Sequence, residues 1–85
     1  MERDFDIKDS CKWHAERIGK RLNIKLRIEE VGDKSLWLVR DMENGNVNRY
    51  PFGDTFPCYM YEDYMYSFLR GLEAGIVFLQ DGNVE

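Results

Sequence analysis

The sequence predicts a small α+β domain in which a helix, a three-stranded antiparallel meander and a second helix follow one another, with both helices on one face of the sheet. Three observations predict it: an amphipathic pattern over residues 9–22, period-two alternation with two turn signals over 24–52, and a second amphipathic pattern over 57–75. With 85 residues, the chain is predicted to be a single domain spanning 1–85. Residues 1–8 are assigned to an N-terminal segment and 80–85 to a polar tail.

The first helix is predicted to begin at Asp9 or Ser10, which are good N-cap residues, and to end where Asn23 follows Leu22. Trp13 is expected on the outer side of this helix as an exposed aromatic residue. The apolar positions recur every three or four residues and predict one buried stripe: Ile7, Cys11, Ala15, Ile18 and Leu22.

The middle of the chain reads as three strands over 24–29, 35–41 and 47–52. The first range alternates apolar and charged residues, which is typical of a half-buried strand. Gly32-Asp33 and Asn44-Gly45 separate the strands, and both pairs favour two-residue hairpin loops.

Two-residue loops would place Ile28 opposite Trp37 and Val39 opposite Tyr50, and these registers predict the two faces of the sheet. The apolar face would contain Ile24, Leu26, Ile28, Trp37, Val39, Tyr50 and Phe52. The other face would contain Lys25, Arg27, Arg40 and Arg49, with Leu36, Leu38 and Pro51 among them.

The second helix is predicted to start near Pro57 or Cys58 and to end at Gly75. Helical spacing places Tyr61, Tyr64, Met65, Phe68, Leu69, Leu72 and Ile76 on its inner side. The same spacing places Glu62, Asp63, Tyr66, Arg70 and Glu73 on its outer side.

Charge is divided unevenly along the chain, although the net charge is only −4. Residues 1–40 contain ten basic and eight acidic side chains, whereas 41–85 contain two basic and eight acidic ones. Separate basic and acidic surfaces are therefore expected. No stretch of the sequence has the length of a signal peptide core or a membrane span, so a cytoplasmic location without membrane partners is expected.

Residues for catalysis are scarce, and we predict that the protein is not an enzyme. His14 is the one histidine, and no nucleophile motif or glycine-rich phosphate loop is present. Cys11, His14 and Cys58 could approach one metal ion, but a structural zinc site needs a fourth ligand. Burial of the cysteines in the core is the preferred interpretation, so no metal and no cofactor are predicted.

Two charged surfaces are candidates for binding. The acidic, tyrosine-bearing outer side of the second helix predicts a protein partner, because tyrosine is enriched at interfaces; its residues are Glu62, Asp63, Tyr66 and Glu73, with Asp54 nearby. The basic sheet face predicts, as the alternative, nucleic-acid or polyanion binding through Lys25, Arg27, Arg40 and Arg49. A solvated surface is the ordinary interpretation of either set.

In element order the chain is similar to double-stranded-RNA-binding domains, but the start of its second helix, Cys58-Tyr59-Met60-Tyr61-Glu62-Asp63, is acidic instead of lysine-rich. Order, size and acidity also resemble small phage inhibitors such as some anti-CRISPR proteins. That resemblance implies an acidic surface that occupies the nucleic-acid groove of a host protein. The leading hypothesis is therefore a protein-binding module, as a monomer or homodimer, of the inhibitor type.

Overall fold

The computed structural model describes residues 6–53 and 58–82. Helix α1 (Ile7–Leu22) precedes the strands in the sequence, and helix α2 (Glu62–Val77) follows them. A π-helical turn (Phe78–Gly82) comes directly after α2. The sheet has four antiparallel strands, β1 (Leu26–Val31), β2 (Ser35–Asp41), β3 (Val47–Asn48) and β4 (Tyr59–Tyr61). The predicted α+β class is confirmed, and the sheet contains one short strand more than predicted.

Helix α1 begins earlier than predicted because Asp6, rather than Asp9 or Ser10, is its N-cap. The Asp6 carboxylate accepts hydrogen bonds from the backbone N–H groups of Lys8 (3.1 Å) and Asp9 (3.3 Å). At the other end Asn23 adopts a left-handed conformation (φ 61°), which ends the helix as predicted.

The β1–β2 hairpin has a three-residue loop, so the predicted register was wrong by one residue. Val31 pairs with Ser35, and Ile28 consequently lies opposite Leu38 instead of Trp37. A shift of one residue moves every side chain of a strand to the other face. Leu36 and Leu38 are therefore fully buried in the core, and Trp37 lies on the opposite face.

The β2–β3 hairpin also has three residues in its loop. Met42 N–H donates to Asn46 O (2.8 Å) and closes this loop. A three-residue loop requires a positive φ at its last residue, and Gly45 has this conformation (φ +92°). Strand β3 stops at Asn48 rather than Phe52, because the chain turns away at Tyr50, where Tyr50 O accepts from Gly53 N (3.1 Å). Pro51 occupies the second position of that turn, which proline favours.

Strand β4 replaces the predicted first turn of the second helix. Strand β3 pairs only with Arg40 and Asp41 of β2, so it leaves the earlier residues of β2 unpaired at the same edge. Residues 59–61 pair with 35–37 there. Helix α2 therefore begins at Glu62, and it continues through Gly75 to Val77, contrary to the predicted end.

One core lies between the helices and a single face of the sheet, as predicted. Its buried members come from α1, β1, β2 and α2, together with Cys58: Cys11, Ala15, Ile18, Leu26, Ile28, Leu36, Leu38, Cys58, Met65, Leu69 and Ile76. Both helices therefore cover the same face, and the described residues include no element that covers the other.

Candidate functional site: the open face of the sheet

The face of the sheet that points away from the helices, called the open face below, carries an aromatic cluster. The indole of Trp37 on β2 lies between two tyrosines, with ring centroids 4.9 Å from Tyr59 and 6.0 Å from Tyr50. The Trp37–Tyr50 rings meet edge to face (86°), an arrangement that aromatic pairs prefer. Tyr59 and Tyr50 are 48% and 42% exposed, so the cluster presents ring surface to solvent.

Local structure explains why these rings meet. Tyr59 is the direct cross-strand partner of Trp37, because β4 pairs with β2 in that register. Tyr61, two residues further along β4, is on the same face and is 60% exposed. Tyr50 reaches the cluster because the turn that ends β3 carries it towards Trp37.

Ion pairs flank the aromatic cluster. Arg49 donates two hydrogen bonds from Nη2 to the Glu29 carboxylate (2.7 and 2.9 Å), and Arg27 Nε donates to Asp41 Oδ2 (2.7 Å). The bond from Arg27 holds the pKa of the Asp41 carboxyl below its usual value. Each arginine is thus matched by a carboxylate on the same face.

The four residues of the predicted basic sheet face therefore do not form one continuous basic surface. Arg40 lies opposite Leu26, on the side of the sheet that faces the helices, so it is separated from Arg27 and Arg49. Lys25 remains exposed beside Asp41, and with Arg40 it lines an open cleft of about 850 Å³ at the end of α1. Glu29 and Asp41 neutralise the positive charges of Arg49 and Arg27 on this face.

The residues of the predicted acidic face of α2 do not lie together on one exposed surface. Glu73 is buried, not outward-facing, since its carboxylate accepts from Arg17 (2.8 Å to Nη2) and from His14 Nδ1 (3.3 Å) on α1. Tyr66 is half-buried beside it, with its ring 5.7 Å from that of His14. Glu62 and Asp63 form the first turn of α2, and Asp54 lies outside the described residues.

The cysteines belong to the core, as the preferred interpretation held. Cys11 and Cys58 are both fully buried and form no disulfide. The thiol of Cys11 points to Glu62 O (3.7 Å), and burial raises its pKa to about 11. Within residues 6–53 and 58–82, no three metal-binding side chains come together.

Trp13 is exposed on α1, as predicted, with 55% of its surface accessible. The Arg17 guanidinium carbon lies 4.6 Å from the centre of its ring, a cation–π contact. This residue is on the helical side of the molecule, away from the aromatic cluster.

Sequence reasoning missed the aromatic cluster because it placed Trp37 and Tyr50 in the core and Tyr59 in a helix. One available signal was the alternation of Tyr59-Met60-Tyr61, which has the period of a strand.

Comparisons with known proteins identify no relative of this chain. No family model matches it, and no curated protein or solved structure matches it either. Among the described residues, no helix combines the length and apolarity that crossing a bilayer requires.

Proposed function

We propose that this protein is a non-enzymatic module that binds another protein through the open face of its sheet. The observation that supports the proposal is the exposed cluster of Trp37, Tyr50 and Tyr59, with Tyr61 beside it. Tryptophan, tyrosine and arginine are the residues that contribute most to binding energy at protein interfaces. The cluster is also preorganised, because the rings of Tyr50 and Tyr59 both pack against Trp37.

The chemistry of the partner follows from the charges of the open face. Arg27 and Arg49 are each paired with a carboxylate, so this face offers a polyanion little net attraction. A partner surface of mixed apolar and hydrogen-bonding groups fits it better. Such a surface can pack on the rings and accept hydrogen bonds from tyrosine hydroxyls at the rim.

A narrower hypothesis is that the partner is a nucleic-acid-binding host protein that this chain inhibits, as its resemblance to phage inhibitors implies. It rests on Glu62 and Asp63, which follow Tyr61 directly and make the first turn of α2 acidic. Complementary potential would bring such a surface to a basic groove.

The test begins with a photo-crosslinking amino acid at Tyr59 in cells that contain the partner. The captured protein is then purified, and its affinity is measured by calorimetry with the wild type, Trp37→Ser and Trp13→Ser. We expect Trp37→Ser to weaken binding at least about 30-fold, as loss of a hot spot does, and Trp13→Ser to leave it unchanged. Equal affinity of the wild type and Trp37→Ser for the captured protein would contradict the proposal.

Nucleic acid is examined with the same variants. Fluorescence anisotropy with single-stranded and double-stranded oligonucleotides at low salt is expected to show no binding. Binding that weakens steeply with salt and is lost in Trp37→Ser would instead favour base stacking on the aromatic cluster, as in single-strand-binding proteins.

A further inference from the structure

The open cleft at the end of α1 contains an arginine without a counter-charge. Arg40 follows the buried Leu38 on the inward face of β2, opposite Leu26, so its side chain lies where the core ends. Arg27 and Arg49 each form an ion pair, whereas no acceptor in the described part of the chain bonds to the Arg40 guanidinium. The described residues contain no buried side-chain nitrogen that lacks a partner, so these nitrogens reach the solvent in the cleft.

The last turn of α1 does not use Arg40 as a cap. A basic side chain near the end of a helix often bonds to the last carbonyl groups. Here the carbonyl oxygens of residues 19–21 already accept hydrogen bonds from protein donors, which are Ile24 N–H, Asn23 N–H and Gln80 Nε2. The guanidinium of Arg40 is therefore available to a ligand.

The charges around the cleft favour an anion. Lys20 and Lys25 are exposed at its rim, so they and Arg40 line it with three positive charges. Two carboxylates line it as well, but that of Asp41 already accepts from an arginine of the open face (2.7 Å), which leaves Glu43 alone. Three positive charges against one negative charge give an excess of two. A phosphate monoester, which carries about −1.5 to −2 at neutral pH, matches that excess.

We propose that this cleft binds a small organic phosphate monoester, with the phosphate on Arg40. A planar guanidinium can donate two parallel hydrogen bonds to phosphate oxygens, and lysines add point charges. Ile24 and Met42 are half-buried in the same cleft and offer apolar surface to the organic part of the ligand. The cleft volume of about 850 Å³ is that of a small-molecule site, for which about 300–1,000 Å³ is usual. The site is separate from the open face and does not depend on the function proposed for it.

The first experiment compares ligands that differ in the phosphate. Backbone amide shifts of isotope-labelled protein are followed by NMR during titration with AMP, inorganic phosphate and adenosine. AMP should cause saturable shifts concentrated in residues 23–25 and 40–43, which line the cleft. Inorganic phosphate should shift the same residues at higher concentration, because it lacks the apolar part. Adenosine should cause no saturable shift, because it lacks the charge.

The second experiment compares two arginine variants by the same AMP titration. Arg40→Gln should weaken binding at least about 10-fold, as loss of a charge-assisted hydrogen bond does. Arg70→Gln is the matched control, because it removes the same charge from an exposed position on α2, where the guanidinium lies over the Tyr66 ring (5.6 Å). It should bind AMP as the wild type does. Lys25→Gln alters an exposed side chain and should weaken binding about threefold even if Arg40→Gln does not fold.

Three results would overturn the proposal: no saturable shift with AMP, equal responses to AMP and adenosine, or an affinity that neither Arg40→Gln nor Lys25→Gln lowers. Trp37→Ser separates this site from the open face, since it should bind AMP with unchanged affinity. Loss of AMP binding in Trp37→Ser would place the ligand on the aromatic cluster and would likewise overturn the proposal.

Discussion

Leu38 lies directly opposite Ile28 in the β1–β2 ladder, and both side chains are buried on the face that the helices cover. Trp37, one position earlier in β2, points to the other face, where it contacts Tyr59. This pairing therefore decides which residue of β2 stabilises the core and which is available to a partner.

Substitution of these two neighbours should separate the two roles. Leu38→Ala removes a fully buried side chain and is expected to lower the free energy of unfolding by about 3 kcal/mol. Trp37→Ala should cost about 1 kcal/mol, since the indole is only half-buried. Urea denaturation followed by circular dichroism measures both. A larger loss for Trp37→Ala would indicate the register that two-residue loops predict.

The sequence could predict the two helices, the first three strands in their order and the inward face of β1, but neither the register nor β4. Asn44-Gly45 suits a two-residue loop and equally a three-residue loop that ends in glycine at positive φ, which is what the structure has. The second strand could not correct the error, because Leu36, Trp37, Leu38 and Val39 are apolar on both faces.

The candidate site was harder to predict, because it depends on contacts between distant parts of the chain. Helical spacing predicts that Glu73 points outward, but its side chain is buried against α1, where it forms ion pairs with His14 and Arg17. Tyr59 is exposed beside Trp37 only because β3 is short enough to leave β2 an edge for β4. Such long-range pairing overrides local preference.

Gly19 is required by the close approach of α1 to the start of β1. A methyl group there would lie 2.7 Å from Ile24 O and 3.1 Å from Leu26 N, both backbone atoms that cannot move freely. We expect Gly19→Ala to destabilise the protein by about 2 kcal/mol, although alanine favours helices.

Gly71 provides the control for Gly19, since it is also helical but has open space around it. Gly71→Ala should stabilise the protein by about 0.5–1 kcal/mol through helix propensity alone. Thermal denaturation of Gly19→Ala and Gly71→Ala, each compared with the wild type, measures the two changes in stability. Stabilisation by both substitutions would contradict the close approach.

The two thiols should be unreactive in the folded protein. Burial raises the pKa of Cys11 to about 11 and also raises the pKa of Cys58, so little thiolate forms near neutral pH, and neither sulfur is accessible. We expect a thiol-reactive disulfide reagent to modify the native protein slowly and to titrate both cysteines at once in guanidinium chloride. Rapid reaction of one thiol in the native state would contradict this.

Glu73 should make stability depend on pH. The hydrogen bond from Arg17, and after it that from His14, hold the pKa of the Glu73 carboxyl below its ordinary value of 4.5. A carboxyl with a lowered folded-state pKa stabilises the protein above the unfolded-state value, and this contribution is lost as the pH falls through the folded-state pKa. We expect Glu73→Gln to cost about 1 kcal/mol at neutral pH, because the partly exposed guanidinium of Arg17 loses the carboxylate with which it pairs.

The cost of Glu73→Gln should shrink as the solution is acidified below pH 4.5, because Glu73 is protonated first in the unfolded protein and then, at its lowered pKa, in the native one. Urea denaturation of the two proteins across this range measures the difference. Glu16→Gln is the control, since Glu16 is exposed and its contact with Lys20 is long (3.9 Å), so little change is expected at any pH. A Glu73→Gln cost that stayed constant or grew on acidification would show that the charge of Glu73 does not stabilise the contact between α1 and α2.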